Sequence, residues 1–279
     1  MMVVLLRVVL VVLAVLSAPA GRASAQPAAS PDLADRVGGR EDLTFADLVR
    51  LVAPRIAASG EAARLRHIGG EEWRSAGPEA AELRAFTAVP ARSGGSDRMV
   101  LLLDFGEARD SAAGFAVLAL FDIAGEPRLL DAADVAFDRR TSFAGPVRLP
   151  VGEAGDLLVT RSTHFNSSQG YAMTALILLG GDRFELVDTI STLDDRACAF
   201  KRTQRLDIRR GTAAPFADIR ATVTERTAGT AEPCDDGAAV PEPGTRTIAV
   251  TYRWDAAERR YIADSDAFAV LARENETRF

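Results

Sequence analysis

The chain has 279 residues and a formal net charge of −6, and nearly all of its basic residues are arginine. That acidic balance argues against a nucleic-acid binder, which carries a basic excess, and gives no pull toward anionic lipid. A hydrophobic content of 48% supports a proper core.

Arg7 precedes an apolar run at 8–16, and Ala18-Pro19-Ala20 and Ala23-Ser24-Ala25 both fit a small-x-small cleavage site. This predicts a signal peptide over residues 1–25. The apolar stretch is shorter than the roughly 20 residues of a spanning helix, so no stable membrane insertion is expected after cleavage. Losing Arg7 and Arg22 leaves a mature charge of −6 − 2 = −8. The expected location is periplasmic or secreted. The two cysteines, Cys198 and Cys234, predict one disulfide in an oxidising compartment. It would tether the polar loop 227–244. The only lysine, Lys201, sits in no catalytic motif.

Residues 26–40, rich in Ala, Pro, Asp and Gly, read as a flexible linker. Residues 41–82 read as a helical and irregular N-terminal segment. Thr44 and Asp47 have nearly the spacing of a capping box. Phe45, Leu48, Val49, Val52 and Ile56 fall on one helical face, and Pro54 is expected to end or kink that helix.

Residues 83–279 read as an antiparallel β domain. Short apolar runs occur at 83–89, 98–105, 114–122, 128–131, 146–151, 156–163, 172–179, 184–190, 203–209, 216–226, 245–254 and 259–263. Gly, Pro and Asp turns between them point to a mainly β, sandwich-like fold with a short N-terminal helical segment. The runs 99–103 and 175–179 are apolar on consecutive residues, which predicts strands covered on both faces. Residues 266–276 predict a closing helix, with a final strand as the alternative.

A weak repeat gives a second reading of the fold. Three hairpins share the order strand, turn, strand, aspartate, and end at Asp131, Asp188 and Asp264. The intervals are 188 − 131 = 57 and 264 − 188 = 76, and without the 18 residues of 227–244 the second becomes 58. That describes an incomplete or propeller-like repeat of ~57-residue units. Three units fall short of the roughly four that close a propeller.

The densest set of polar functional groups lies at 161–171, between two apolar runs. Arg161, His164, Asn166, Gln169 and Tyr171 are the predicted ligand contacts, and the expected partner is an unknown envelope protein or a small polar ligand. Strict alternation puts Thr163, Phe165 and Ser167 on one side and His164, Asn166 and Ser168 on the other. The competing reading is a loop whose Asn and Ser side chains satisfy their own backbone. No G-x-S-x-G elbow or H-E-x-x-H helix is present, which favours a non-enzymatic binding or accessory module. The alternatives are a hydrolase using His164 as base beside Ser162, Ser167 or Ser168, and a purely structural domain. His67 is the only other histidine. Asp131, Asp134 and Asp138, and the pair Asp194-Asp195, lack the loop spacing of a calcium site. No metal or cofactor is predicted. Tyr252, Trp254 and Tyr261 are expected to pair across the last hairpin.

Overall fold

All twelve apolar runs form strands. The computed structural model describes residues 30–56, 65–70, 73–74, 83–107, 114–152, 155–197, 199–230 and 240–278. The predicted leader 1–25, both cysteines, and 231–239 of the predicted tethered loop lie outside them. Helix α1 (Phe45–Ile56) and two short strands, β1 (Leu65–Arg66) and β2 (Trp73–Arg74), precede the main sheet. That sheet comprises β3 (Ala85–Ser93), β4 (Ser96–Glu107), β5 (Gly114–Asp122), β6 (Arg128–Asp134), β7 (Arg140–Gly152) and β8 (Gly155–Phe165). It continues with β9 (Gln169–Gly180), β10 (Arg183–Ala197), β11 (Phe200–Arg210), β12 (Ile219–Gly229), β13 (Gly244–Asp255) and β14 (Arg260–Ala263). Helix α2 (Ala267–Glu276) closes the chain, so the helical alternative holds there.

The fold is mainly antiparallel β, one twelve-stranded sheet in which eleven strands follow a single hydrogen-bonded path and β7 pairs with β8 beside it. Two thin joins divide the sheet into three four-stranded meanders. β3 meets β8 through one residue pair, Ser93 with Gly155. β10 meets β11 only from Asp195–Ala197 to Phe200–Arg202. Within each meander the ladders are long; β11 and β12, for example, pair from Phe200–Gly229 to Arg210–Ile219.

The meanders stack face to face. Val100, Leu102 and Leu118 of the first share a buried cluster with Leu158, Ile177 and Phe184 of the second. Leu157, Val159 and Leu176 of the second meet Ile219, Val223 and Tyr252 of the third. On its other face the first meander packs Leu101, Leu103 and Phe121 against Phe45, Leu48 and Val52 of α1. Inner layers are therefore covered twice, and every residue of β5 from Gly114 to Phe121 is buried. The third meander is covered on one face only, so β12 alternates from Ile219 to Arg226 and exposes Arg220 and Thr224. One-sided cover is what produces alternation in a strand.

The recurring aspartates fasten each meander to the next. Asp131 accepts the Phe184 N–H at 2.8 Å, and Asp188 accepts the Tyr252 hydroxyl at 2.6 Å. Asp264 ends the series and accepts Thr251 N–H within its own meander, at 2.9 Å. Burial, with Asp188 beside it, pushes the Tyr252 phenol well above its ordinary pKa.

Two local expectations change. Pro54 lies inside the last turn of α1 and does not end the helix before it. The second half of the predicted linker is packed: Val37 is fully buried, and Arg40 donates to the carbonyl of Ile123 at 2.9 Å. One apolar side chain and one long-range bond hold a stretch whose composition alone reads as flexible. The capping box forms as expected, with Thr44 N–H on the Asp47 carboxylate at 2.9 Å and Asp47 N–H on Thr44 Oγ1 at 3.3 Å. Among the described residues, no helix is long and apolar enough to cross a membrane.

Candidate functional site

The β8–β9 hairpin forms at the predicted place, with its turn at Asn166–Ser168. Alternation divides its side chains between two faces. Arg161 and Phe165 lie on the face of Leu157 and Val159, toward the third meander. Ser162 and His164 lie on the face of Leu158, toward the first. The five predicted contacts are thus not one cluster.

Four of them form a tied group. His164 and Tyr171 are register partners across the hairpin, and their rings stack at 4.4 Å and 24°. His164 Nδ1 bonds the carboxylate of Asp138, on the β6–β7 connection. The Tyr171 hydroxyl donates to Gln169 Oε1, and burial raises its pKa. Gln169 Nε2 donates to the carbonyl of Arg278, past the end of α2, at 3.0 Å. Asn166 Oδ1 accepts the N–H groups of Ser168 and Gln169 at 3.0 and 2.7 Å. That is an Asx-type turn satisfying its own backbone.

These bonds give a stability prediction. His164→Ala with Asn166→Ala removes one stacked ring, one charge-assisted bond and two turn bonds, about 2 kcal/mol in all. For a chain this size that lowers the thermal midpoint by roughly 4–8 °C. A melt of the double variant checks it, and an unmoved midpoint would show that the group does not hold the hairpin.

Arg161 stands apart. It is exposed on β8, and its side chain makes no hydrogen bond or ion pair among the described residues. It lines a groove of about 540 Å³ between the hairpin and β10–β11. Phe165 lies at the same groove and is 71% exposed. Its ring covers Gly170, where a Cβ would come within 2.8 Å of Cε1 and 3.0 Å of Cδ1. A side chain there would push the exposed ring aside. Across the groove, Arg205 holds Asp194 with contacts of 2.9 and 2.8 Å. Ser142, Thr174, Thr192 and Gln204 complete its polar lining. Phe165, Asp194 and Arg205 are the residues that sequence reading passed over as contacts. For Phe165 the alternation rule already put it on one face with Arg161. For the other two no signal exists, since the register across the thin β10–β11 join is not written in either strand.

The alternative chemistry finds one element and lacks another. Asp138 would orient His164 as a base. Ser162, however, is buried, bonds Thr141 Oγ1 at 2.9 Å, and accepts the Phe137 N–H at 3.1 Å. Among the described residues no serine hydroxyl bonds His164. His67 is buried, with Gly69 N–H on Nδ1 at 3.2 Å and Nε2 on the carbonyl of Ala136 at 3.1 Å. The aspartates grouped by sequence have separate tasks: Asp131 fastens β10, Asp138 holds His164, and Asp134 caps Ala116 and Ala136 N–H. Among the described residues no three His, Cys, Asp or Glu side chains converge on a metal position. Of the predicted aromatic pairing, Trp254 meets Tyr261 edge-on at 5.4 Å and stacks on Phe216 at 4.1 Å, whereas Tyr252 stands opposite Ala263.

Comparison with known protein families, with curated proteins and with solved structures finds no match to this chain.

Proposed function

We propose that this chain is an exported, non-enzymatic binding or accessory module of the cell envelope, periplasmic or secreted. Its ligand surface is the groove beside the β8–β9 hairpin. The partner is a small polar ligand or an exposed part of an envelope protein. The leader pattern at 1–25 supports export, and an oxidising compartment would join Cys198 to Cys234. One observation carries the binding reading. Arg161, with no partner among the described residues, and Phe165, exposed over Gly170, both face one groove. An arginine without a carboxylate and a ring left in water add nothing to stability, and binding loops on a rigid scaffold keep such groups. A mature charge of −8 leaves nucleic acid outside the partner classes.

A ligand-observed NMR screen of mixed metabolites, short peptides and saccharides tests this. At least one compound is expected to receive saturation from the wild type and to lose it with Arg161→Ala/Phe165→Ala. Identical spectra for the two proteins would overturn the reading.

The Asp138–His164 pair supports a second reading, a hydrolase with His164 as base. Turnover of an ester, glycoside or phosphoester substrate that His164→Ala abolishes would establish it. Without such turnover the binding reading stands.

A further inference from the structure

The groove has a charge and a shape that select among ligands. Of its two arginines, Arg205 is already neutralised by Asp194, through contacts of 2.9 and 2.8 Å. Among the described residues that line it, Arg161 is the one uncompensated charge. A guanidinium is a planar fork that fits a carboxylate through two parallel bonds. A single free cation balances one negative charge. A phosphate monoester brings about two, and the second would lie in a groove that also holds Asp194.

The rest of the lining fits a ring rich in hydroxyls. Phe165 sets one ring edge toward Gly170 and is 71% exposed, so its ring faces are largely open. The negative face of an aromatic ring attracts the weakly positive C–H groups on the flat side of a sugar. Phe165 and Arg161 lie four residues apart on one face of β8, roughly 13 Å at strand rise, the span of two or three linked sugar rings. Between β8 and β11 the groove offers the exposed Ser142 hydroxyl and the Asp194–Arg205 pair, with Thr174 and Thr192 buried beneath them. A hydroxyl, a guanidinium and a carboxylate thus supply both donors and acceptors for the vicinal hydroxyls of a saccharide.

We infer that the groove binds an anionic saccharide, a short sugar chain bearing a carboxylate, with Arg161 on the acid and Phe165 under a ring. This rests on the binding reading above and names its ligand class.

Isothermal titration of the purified chain with trigalacturonate, neutral maltotriose and adenosine monophosphate tests it. Trigalacturonate is expected to bind saturably and the other two at least about tenfold more weakly, the size of one charge-assisted contact. Arg161→Gln and Phe165→Ala, each folded with an unchanged thermal midpoint, should each weaken trigalacturonate by about tenfold. Added salt should weaken the wild type and leave Arg161→Gln nearly unaffected. Equal binding of maltotriose, or indifference to Arg161→Gln, would overturn the acidic class. Tighter binding of the nucleotide would overturn the saccharide class. If all three fail while the NMR screen finds another ligand sensitive to Arg161 and Phe165, only the ligand class falls. If that screen is also empty, the binding reading falls with it.

Discussion

Glu225→Ala is expected to lower the thermal midpoint by roughly 10 °C, from a loss of about 3–5 kcal/mol. Glu225 is buried on β12. It accepts Gln204 Nε2 at 2.7 Å, Arg246 Nε at 2.8 Å and Arg278 Nη1 at 2.8 Å. Gln204 in turn exchanges amide bonds with Asn275 of α2 at 2.9 and 3.0 Å. This knot fastens the C-terminal end of α2 to the third meander, and the helix otherwise buries only Phe268, Leu271 and Asn275. Removing the carboxylate leaves Gln204 without one acceptor and Arg246 and Arg278 sharing only the Glu274 carboxylate. Hydrogen exchange over 267–276 should rise with the loss of stability.

The same residue makes a pH prediction. Burial alone would raise the Glu225 pKa, but the bonds from Gln204, Arg246 and Arg278 outweigh it and hold the group at about 2, below the ordinary 4.5. A depressed carboxylate contributes its stability above the unfolded value and loses it as pH falls through the folded value. Its share, about 3 kcal/mol, is therefore complete above pH 4.5 and lost between 4.5 and about 2. Urea unfolding at several pH values checks this. The wild type should lose its advantage over Glu225→Gln across that window, and a constant gap would contradict the assignment.

Gly155→Val is the second large effect, about 3 kcal/mol and a fall of roughly 6–12 °C. A Cβ at Gly155 would sit 2.4 Å from the carbonyl oxygen of Leu179, and backbone cannot swing aside. Gly155 also forms the only residue pair between β3 and β8. Next to it, buried Asp156 accepts Arg92 N–H at 2.7 Å, with burial raising its pKa. Overpacking there strains the join between the first two layers. Gly180→Ala is the control, since its nearest atoms lie 3.6 and 3.7 Å away on the Leu178 side chain. Its melt should match the wild type, and equal losses in the two variants would refute the steric account.

The strands could be read from the chain because each is an apolar run with its own turn residues. β5 coincides with the predicted run 114–122. Two-sided burial could be read as well, from the consecutive apolar residues at 99–103 and 175–179. The spacing of Asp131, Asp188 and Asp264 reflects the repeating meander, although the chain gives no hint that Asp131 and Asp188 reach the following layer. The thin joins were not legible, because one pair between Ser93 and Gly155 leaves no pattern. β7 was read as only six residues, 146–151, since its register shifts between Phe143 and Arg148 and a bulged strand breaks alternation. At the site, the polar tip is legible as a hairpin loop, but the division of its side chains between bonded and unbonded is not. His164, Asn166, Gln169 and Tyr171 are bonded to their surroundings, whereas Arg161 is not. Hydrogen-bonding capacity is visible in a sequence, but whether a fold has already used it is not.

On the binding reading, Arg161 and Phe165 are held outward for a ligand and do not support the fold. The thermal midpoint of Arg161→Ala/Phe165→Ala, melted beside the wild type, tests it most directly. A midpoint within about 2 °C, under 1 kcal/mol for a chain this size, is the predicted result. A fall as large as that of Glu225→Ala would make both side chains structural, and the groove would lose its claim to a ligand.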